Sequence, residues 1–160
     1  MSRVVSNATP LIYLAKIGRM DLLKKVFEEV FIPEEVKVEV VDEGKRLGER
    51  DAYIVEKAVR DGWLKVLTVE ALEIPIKLEQ GEVAVLSLAK RQGFREVLVD
   101  EVSARTAARL MGLTPRGTVF VLLKAFEIEE ISLNDFIDAF SELVRHGFRL
   151  KEVVYLEAVR

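Results

Sequence analysis

The chain has 160 residues, 50% of them hydrophobic and 32% charged, which predicts a single folded domain over residues 1–160 and argues against disorder. It has no cysteine and one histidine, which excludes disulfides and thiolate sites and argues against Ser-His-Asp catalysis and multi-histidine metal sites. The net charge of −3 argues against general nucleic-acid coating, although a local basic patch is compatible with it. No signal-peptide layout or membrane-length apolar run is present, so we expect a cytoplasmic protein.

Residues 4–12 predict a short buried strand, a polar turn and a helix. Two valines form the strand, and Asn7 places a polar side chain at its carboxyl end. Thr9 is expected to cap the helix and Pro10 to be its first residue, where a missing N–H costs nothing. Because α/β folds bind ligands at the carboxyl ends of parallel strands, this turn is a candidate site.

Helices and strands alternate along the rest of the chain. Apolar spacing predicts helices over residues 20–27, 52–59, 81–91, 101–111, 118–126, 133–144 and 150–158. Apolar runs predict strands over residues 30–32, 64–67 and 97–99, and irregular segments are expected over 44–48, 68–80 and 114–117, with a brief strand at 113. Residues 33–41 are expected to form a helix, although 36–41 alternate like a strand. The alternation predicts a three-layer α/β/α sandwich with a central parallel sheet, similar to Rossmann-like folds.

Acidic side chains recur where this sheet would gather them. Asp100 and Glu101 directly follow the fourth strand, as Asn7 follows the first, so Asn7 and Asp100 are expected to lie close together. Glu82 precedes apolar positions of its helix by three, four and seven residues, which directs its carboxylate toward the core.

Glu39 lies among valines and is a further inward-facing candidate, although Glu35 or Glu43 fits that place equally well. Buried carboxylates are costly without partners, and several together repel one another. A divalent cation relieves both effects. Because oxygen ligands suit hard cations, the pattern favours Mg²⁺ or Mn²⁺.

Each candidate also has a purely structural interpretation. Glu82 favours a helix N-terminus electrostatically, and Asp100 can act as an N-cap. Asn7 can satisfy backbone groups in its turn, and Thr9 fits a cap better than a ligand. Arg105 pairs with the acid four residues before it, which is more typical of a solvated helix face than of a phosphate clamp.

The order of these motifs resembles the PIN-domain ribonucleases over essentially the whole chain, with most likeness to a little-described prokaryotic, toxin-like subfamily. The likeness is carried by residues 5–12, Gly81-Glu82 with Leu88-Ala89, Val99-Asp100-Glu101 with Ala104-Arg105, Gly117-Thr118, and residues 146–150. It implies a parallel sheet with an acidic site at its carboxyl edge. It further implies Mg²⁺- or Mn²⁺-dependent cleavage of RNA, commonly by the toxin of a toxin–antitoxin pair, and frequent dimerisation.

Carried over by position, the resemblance places the site at Asn7, Glu39, Glu82 and Asp100, with Thr9 in support and Glu101 as a substitute metal ligand. Two positions depart from the family pattern. Asn7 stands where an aspartate is usual, and Ala84 stands where a second acid often follows Glu82. Fewer negative charges weaken the binding of a divalent cation.

The first hypothesis is therefore a metal-dependent endoribonuclease in which Glu39, Glu82 and Asp100 hold the metal and Arg105 or Arg116 positions the RNA backbone. The alternative is a catalytically degenerate PIN-like module that dimerises, or binds an antitoxin or RNA, without cutting. Nucleotide binding on a Rossmann-like sheet is disfavoured because no glycine-rich phosphate loop follows the first strand.

Overall fold

Five parallel strands form the centre of the fold in the computed structural model, which describes residues 2–148. The strands are β1 (Arg3–Ser6), β2 (Glu29–Pro33), β3 (Leu64–Leu67), β4 (Glu96–Leu98) and β5 (Thr114–Arg116), in the order β3-β2-β1-β4-β5. In the register, Val5 pairs with Phe31 on one side and with Val97 on the other. The first and fourth strands are thus neighbours, so their carboxyl ends meet at one edge of the sheet.

Helices flank this sheet and complete the α/β sandwich that the sequence predicted. They are α1 (Ala8–Lys16), α2 (Leu22–Val26), α3 (Glu34–Lys37), α4 (Gly44–Arg46), α5 (Arg50–Arg60), α6 (Gln80–Gln92), α7 (Val102–Leu110), α8 (Thr118–Glu127) and α9 (Leu133–Arg145). A π-helical segment, Val38–Glu43, joins α3 to α4. The helix expected over residues 150–158 lies outside the described residues. Within residues 2–148, no helix is long and apolar enough to cross a membrane.

The start of α1 differs from the prediction. The N-cap is Asn7, with extended backbone dihedrals, and not Thr9, which lies inside the first turn. The helix starts early because the Asn7 N–H still pairs with the Leu98 carbonyl of β4, at 2.9 Å, and the chain turns immediately afterwards. Pro10 is tolerated within the first turn because N–H groups there have no partner inside the helix.

Two segments expected to be irregular form regular structure instead. Residues 44–46 form a helix that packs closely against α5. Glycine at position 44 allows this packing, because a Cβ built there would lie only 2.8 Å from the Cβ of Ala52. Thr114–Arg116 forms strand β5 and not a turn. Its proline is tolerated because β5 is an edge strand, where one row of N–H groups needs no partner.

Helix α8 packs between α2 and α9, and its burial explains its apolar sequence. Val119, Val121, Leu122 and Ala125 are buried, whereas Leu123 and Phe126 stay partly exposed. The Phe126 ring lies 6.0 Å from that of Phe136 on α9. The helix is therefore enclosed along most of its circumference.

We expect Leu122→Ala to lower the free energy of unfolding by about 2–5 kcal/mol, because its side chain is fully buried and its loss leaves a cavity. Leu110→Ala is the matched control, since Leu110 is 73% exposed, and its effect should stay within about 0.5 kcal/mol. Urea denaturation of both variants measures the difference. Equal losses would contradict the packing described for α8.

Candidate functional site

The carboxyl ends of β1 and β4 bring Asn7 and Asp100 to the same edge of the sheet. Asn7 follows β1 directly, and Asp100 lies two residues beyond Leu98, the residue whose carbonyl accepts the Asn7 N–H. Asn7 is only 7% exposed. Although it occupies the N-cap of α1, its side chain makes no capping hydrogen bond within the described chain. Its amide oxygen is therefore not used to hold the helix.

Gly81, in the first turn of α6, lets two side-chain oxygens come together at this edge. A Cβ built on Gly81 would lie 3.3 Å from Oδ1 of Asn7 and 3.3 Å from Oε1 of Glu39. Glu39 belongs to the π-helical segment and is exposed as a residue, but this oxygen is turned inward. Of the three acids that the sequence left open, Glu39 is thus the one with an oxygen beside Gly81, where Asn7 also lies.

Glu82 is the buried acid of the site, at 6% exposure. Its Oε1 accepts a hydrogen bond of 3.0 Å from the backbone N–H of Glu79. Burial raises the pKa of Glu82 above its ordinary value, that hydrogen bond opposes the shift, and the carboxylates of Glu79, Glu101 and Glu39 raise it further. Burial also raises the pKa of Glu39, and Glu79 adds to the shift. These side chains therefore share one electrostatic environment.

Glu79 was missed by the sequence reasoning, which assigned residues 68–80 to a loop. It is the N-cap of α6. An acid three residues before Glu82, directly ahead of an apolar helix, fits the spacing of a capping box and would have indicated both the helix start and the extra carboxylate.

An open pocket of about 300 Å³ lies beside these acids. It is lined by Lys77, Leu78, Glu79, Glu82, Glu101 and Ser103. Glu101, at the N-cap position of α7, lines this pocket with Glu79 and Glu82. Asp100 is not among the residues that line it.

Asp100 is held by the first residue of α8. Its Oδ1 accepts from the Thr118 N–H at 2.8 Å, and its Oδ2 accepts from the Thr118 hydroxyl at 2.7 Å. Asp100 and Thr118 are both buried. The N-cap position of α7 is occupied by Glu101 and not by Asp100. Asp100 instead fastens the N-terminus of α8 to the end of β4, where a negative charge is favoured.

Arg105 departs from both of its predicted roles. It is fully buried and donates from Nη1 to the Val99 carbonyl at 3.1 Å. The predicted solvated face is wrong because α7 turns this side chain inward with Ala104 and Ala108. A guanidinium with no exposed surface has no access to an RNA backbone, so the predicted phosphate contact does not match the structure either.

The fit of a divalent cation to this site is partial. The donor set is suitable, because Asn7, Glu39 and Glu82 offer only amide and carboxylate oxygens and two of them meet beside Gly81. Within residues 2–148, however, no three acidic or histidine side chains are grouped so that they could hold one metal ion. Asp100 is turned toward Thr118, and one oxygen of Glu82 is turned toward a backbone N–H.

Comparison with known proteins supports the same architecture. A family model described as PIN domain matches residues 3–160. The chain is similar to a PilT N-terminus domain protein from the hyperthermophilic archaeon Sulfolobus solfataricus, with a TM-score of 0.53 and 12% identity over 78% of this chain and 94% of that one. At this identity the likeness shows the fold alone.

A second similar structure is a domain of a functionally unknown protein from Methanocaldococcus jannaschii. Its TM-score is 0.48 and its identity 17%, over 73% of this chain and 91% of that one. No curated protein matches the chain.

We expect Glu82→Gln to weaken the pH dependence of stability in metal-free buffer. The pKa of Glu82 is raised in the folded protein above the ordinary 4.5, so the folded state binds the proton more tightly than the unfolded state. The contribution of Glu82 to the free energy of unfolding is therefore fully present below pH 4.5 and is lost as the pH rises through the pKa of the folded state. Glutamine keeps the acceptor oxygen and removes the charge, so the variant should gain stability relative to wild type toward neutral pH.

Urea midpoints measured across this pH range test the expectation, with Glu28→Gln as the charge-matched control on an exposed residue. If Glu82→Gln and wild type lose stability in parallel as the pH rises, the raised pKa of Glu82 does not contribute to the pH dependence of stability.

Proposed function

Because the chain belongs to the PIN-domain family, we propose that it is a divalent-metal-dependent endoribonuclease that hydrolyses RNA phosphodiester bonds. PIN domains are in general nucleases that depend on a divalent metal. The observation that supports the proposal most directly is that an Asn7 oxygen and a Glu39 oxygen both lie beside Gly81, the residue before the buried Glu82. Amide and carboxylate oxygens are the ligands that suit Mg²⁺ or Mn²⁺.

The residues that would hold the cation are Asn7, Glu39 and Glu82. When bound, such an ion lowers the pKa of water and offsets the negative charge that builds on the phosphate. Gly81 keeps room for the Asn7 and Glu39 oxygens, and Glu79 and Glu101 add negative charge around the pocket. The chemistry then requires no histidine base, in agreement with a chain that has only one histidine.

A catalytically degenerate module is the second candidate function. It is favoured by Asn7 in place of the family's usual aspartate and by Ala84 in place of the acid that often follows Glu82. Such a module would bind RNA, an antitoxin or a second copy of the chain without cutting. Dimerisation, a toxin role and a cytoplasmic location remain predictions from the sequence.

We expect the purified protein to cleave a mixed RNA pool with Mn²⁺ and to leave it intact in EDTA. Glu82→Gln should slow cleavage by about 100-fold or more. Mutation of residues that only contact the metal ligands typically lowers metal affinity or activity by about 10- to 100-fold, and Glu82 is proposed to be a ligand itself. Glu28→Gln removes the same charge from an exposed residue outside the site and should cut like wild type. An inert wild type, or equal cleavage by Glu82→Gln, would refute the nuclease proposal.

Gly81→Ala should weaken Mn²⁺ binding measured by calorimetry, while the free energy of unfolding changes by no more than about 1 kcal/mol. The added Cβ would press on the Asn7 and Glu39 oxygens at 3.3 Å, whereas alanine itself favours a helix. Absence of Mn²⁺ binding heat in wild type, with binding and cleavage gained only in Asn7→Asp, would instead establish the degenerate module.

A further inference from the structure

The cations that the sequence suggested for the RNA backbone do not face the acidic pocket. Arg105 is fully buried. Arg116 pairs through Nε with Glu96 at 2.8 Å and lies over the Phe120 ring, 4.4 Å from its centroid. A pocket lined by Glu79, Glu82 and Glu101 repels a polyanion unless a positive charge lies beside the acids. The proposed divalent cation offsets part of this repulsion, and a side-chain cation at the pocket wall would offset more of it.

Lys77 occupies that position. It lines the same pocket as Glu79, Glu82 and Glu101, and its side chain is exposed to solvent. Within residues 2–148 it has no ion-pair or hydrogen-bond partner, unlike Arg116. Its ammonium group is thus available to a ligand that enters the pocket.

The segment that carries Lys77 is attached to the core and to α6. Exposed and half-buried residues alternate along it, so the neighbours Ile76 and Leu78 pack on the core while Lys77 is exposed. The same segment is fastened to α6, because the Leu72 N–H donates to the buried Ser87 hydroxyl at 2.9 Å. Farther along α6, the Arg91 side chain donates to a backbone carbonyl of the segment, that of Glu70, at 2.8 Å. Lys77 is therefore positioned through the helix that also carries the acid of the site.

We propose that Lys77 is the substrate-binding residue of this pocket and contacts a backbone phosphate of the RNA. This inference rests on the proposed function. A lysine ammonium is a compact charge on a flexible stem, which suits phosphate contacts at several positions and carries no base information. Lys77 therefore contributes to affinity for single-stranded RNA and not to sequence preference.

The test measures binding of a fluorescein-labelled single-stranded oligoribonucleotide of mixed sequence by anisotropy, in EDTA so that metal-dependent cleavage is held back. We expect Lys77→Gln to weaken binding several-fold and to lower the slope of log affinity against log salt by about 0.7, the contribution of one phosphate contact on a single strand. Lys77→Arg should restore both quantities. Lys24→Gln is the matched control, because Lys24 is an exposed lysine on α2, a helix that does not line this pocket.

Cleavage kinetics with Mn²⁺ give a second measurement. Lys77→Gln should raise KM with little change in kcat, as expected when uniform binding is lost. If wild type binds and cuts RNA but Lys77→Gln matches Lys24→Gln in affinity and salt slope, the assignment of Lys77 is wrong and the nuclease proposal stands. If wild type neither binds nor cuts RNA, the proposed function fails and this assignment fails with it.

Discussion

Burial of carboxylates at the carboxyl edge of the sheet, with the repulsion among them, is the constraint on which the acidic site depends. Glu39 comes from the π-helical segment, and Glu79 and Glu82 come from the start of α6, yet all three share one environment. A backbone N–H offsets only part of the repulsion, since it serves a single oxygen of Glu82. A divalent cation, as proposed for this site, would relieve the remainder.

Asp100 and Arg105 show that polar groups near this edge also hold the fold together. Asp100 places both of its oxygens on Thr118, so its charge helps to fasten α8 to the sheet. Arg105 lies fully buried and supports the Val99 carbonyl at the end of β4. The connection from β4 to α7 therefore stabilises the fold through these contacts. The exposed pocket lies beside this connection, between the segment that carries Lys77 and the N-terminus of α7.

Most of the fold could be predicted because its periodicity is local. The strands at the centre are continuous apolar runs, and α6 and α7 show clear helical spacing, so their positions were correct to within a residue or two. The errors occurred where tertiary contacts overrode local preference. Gly44 indicated a loop but serves close helix packing against Ala52, and Pro115 indicated a turn but is accommodated at the edge of the sheet.

The sequence by itself determined the α/β alternation, the inward direction of Glu82 and the set of oxygen donors, because side-chain spacing within one element fixes which face each residue occupies. Only the tertiary structure decided which of those donors meet. It brought Asn7 and Glu39 together at Gly81, added Glu79 to the group, turned Asp100 to Thr118 and buried Arg105. These outcomes depend on contacts and rotamers between segments far apart in the chain, which no local pattern records.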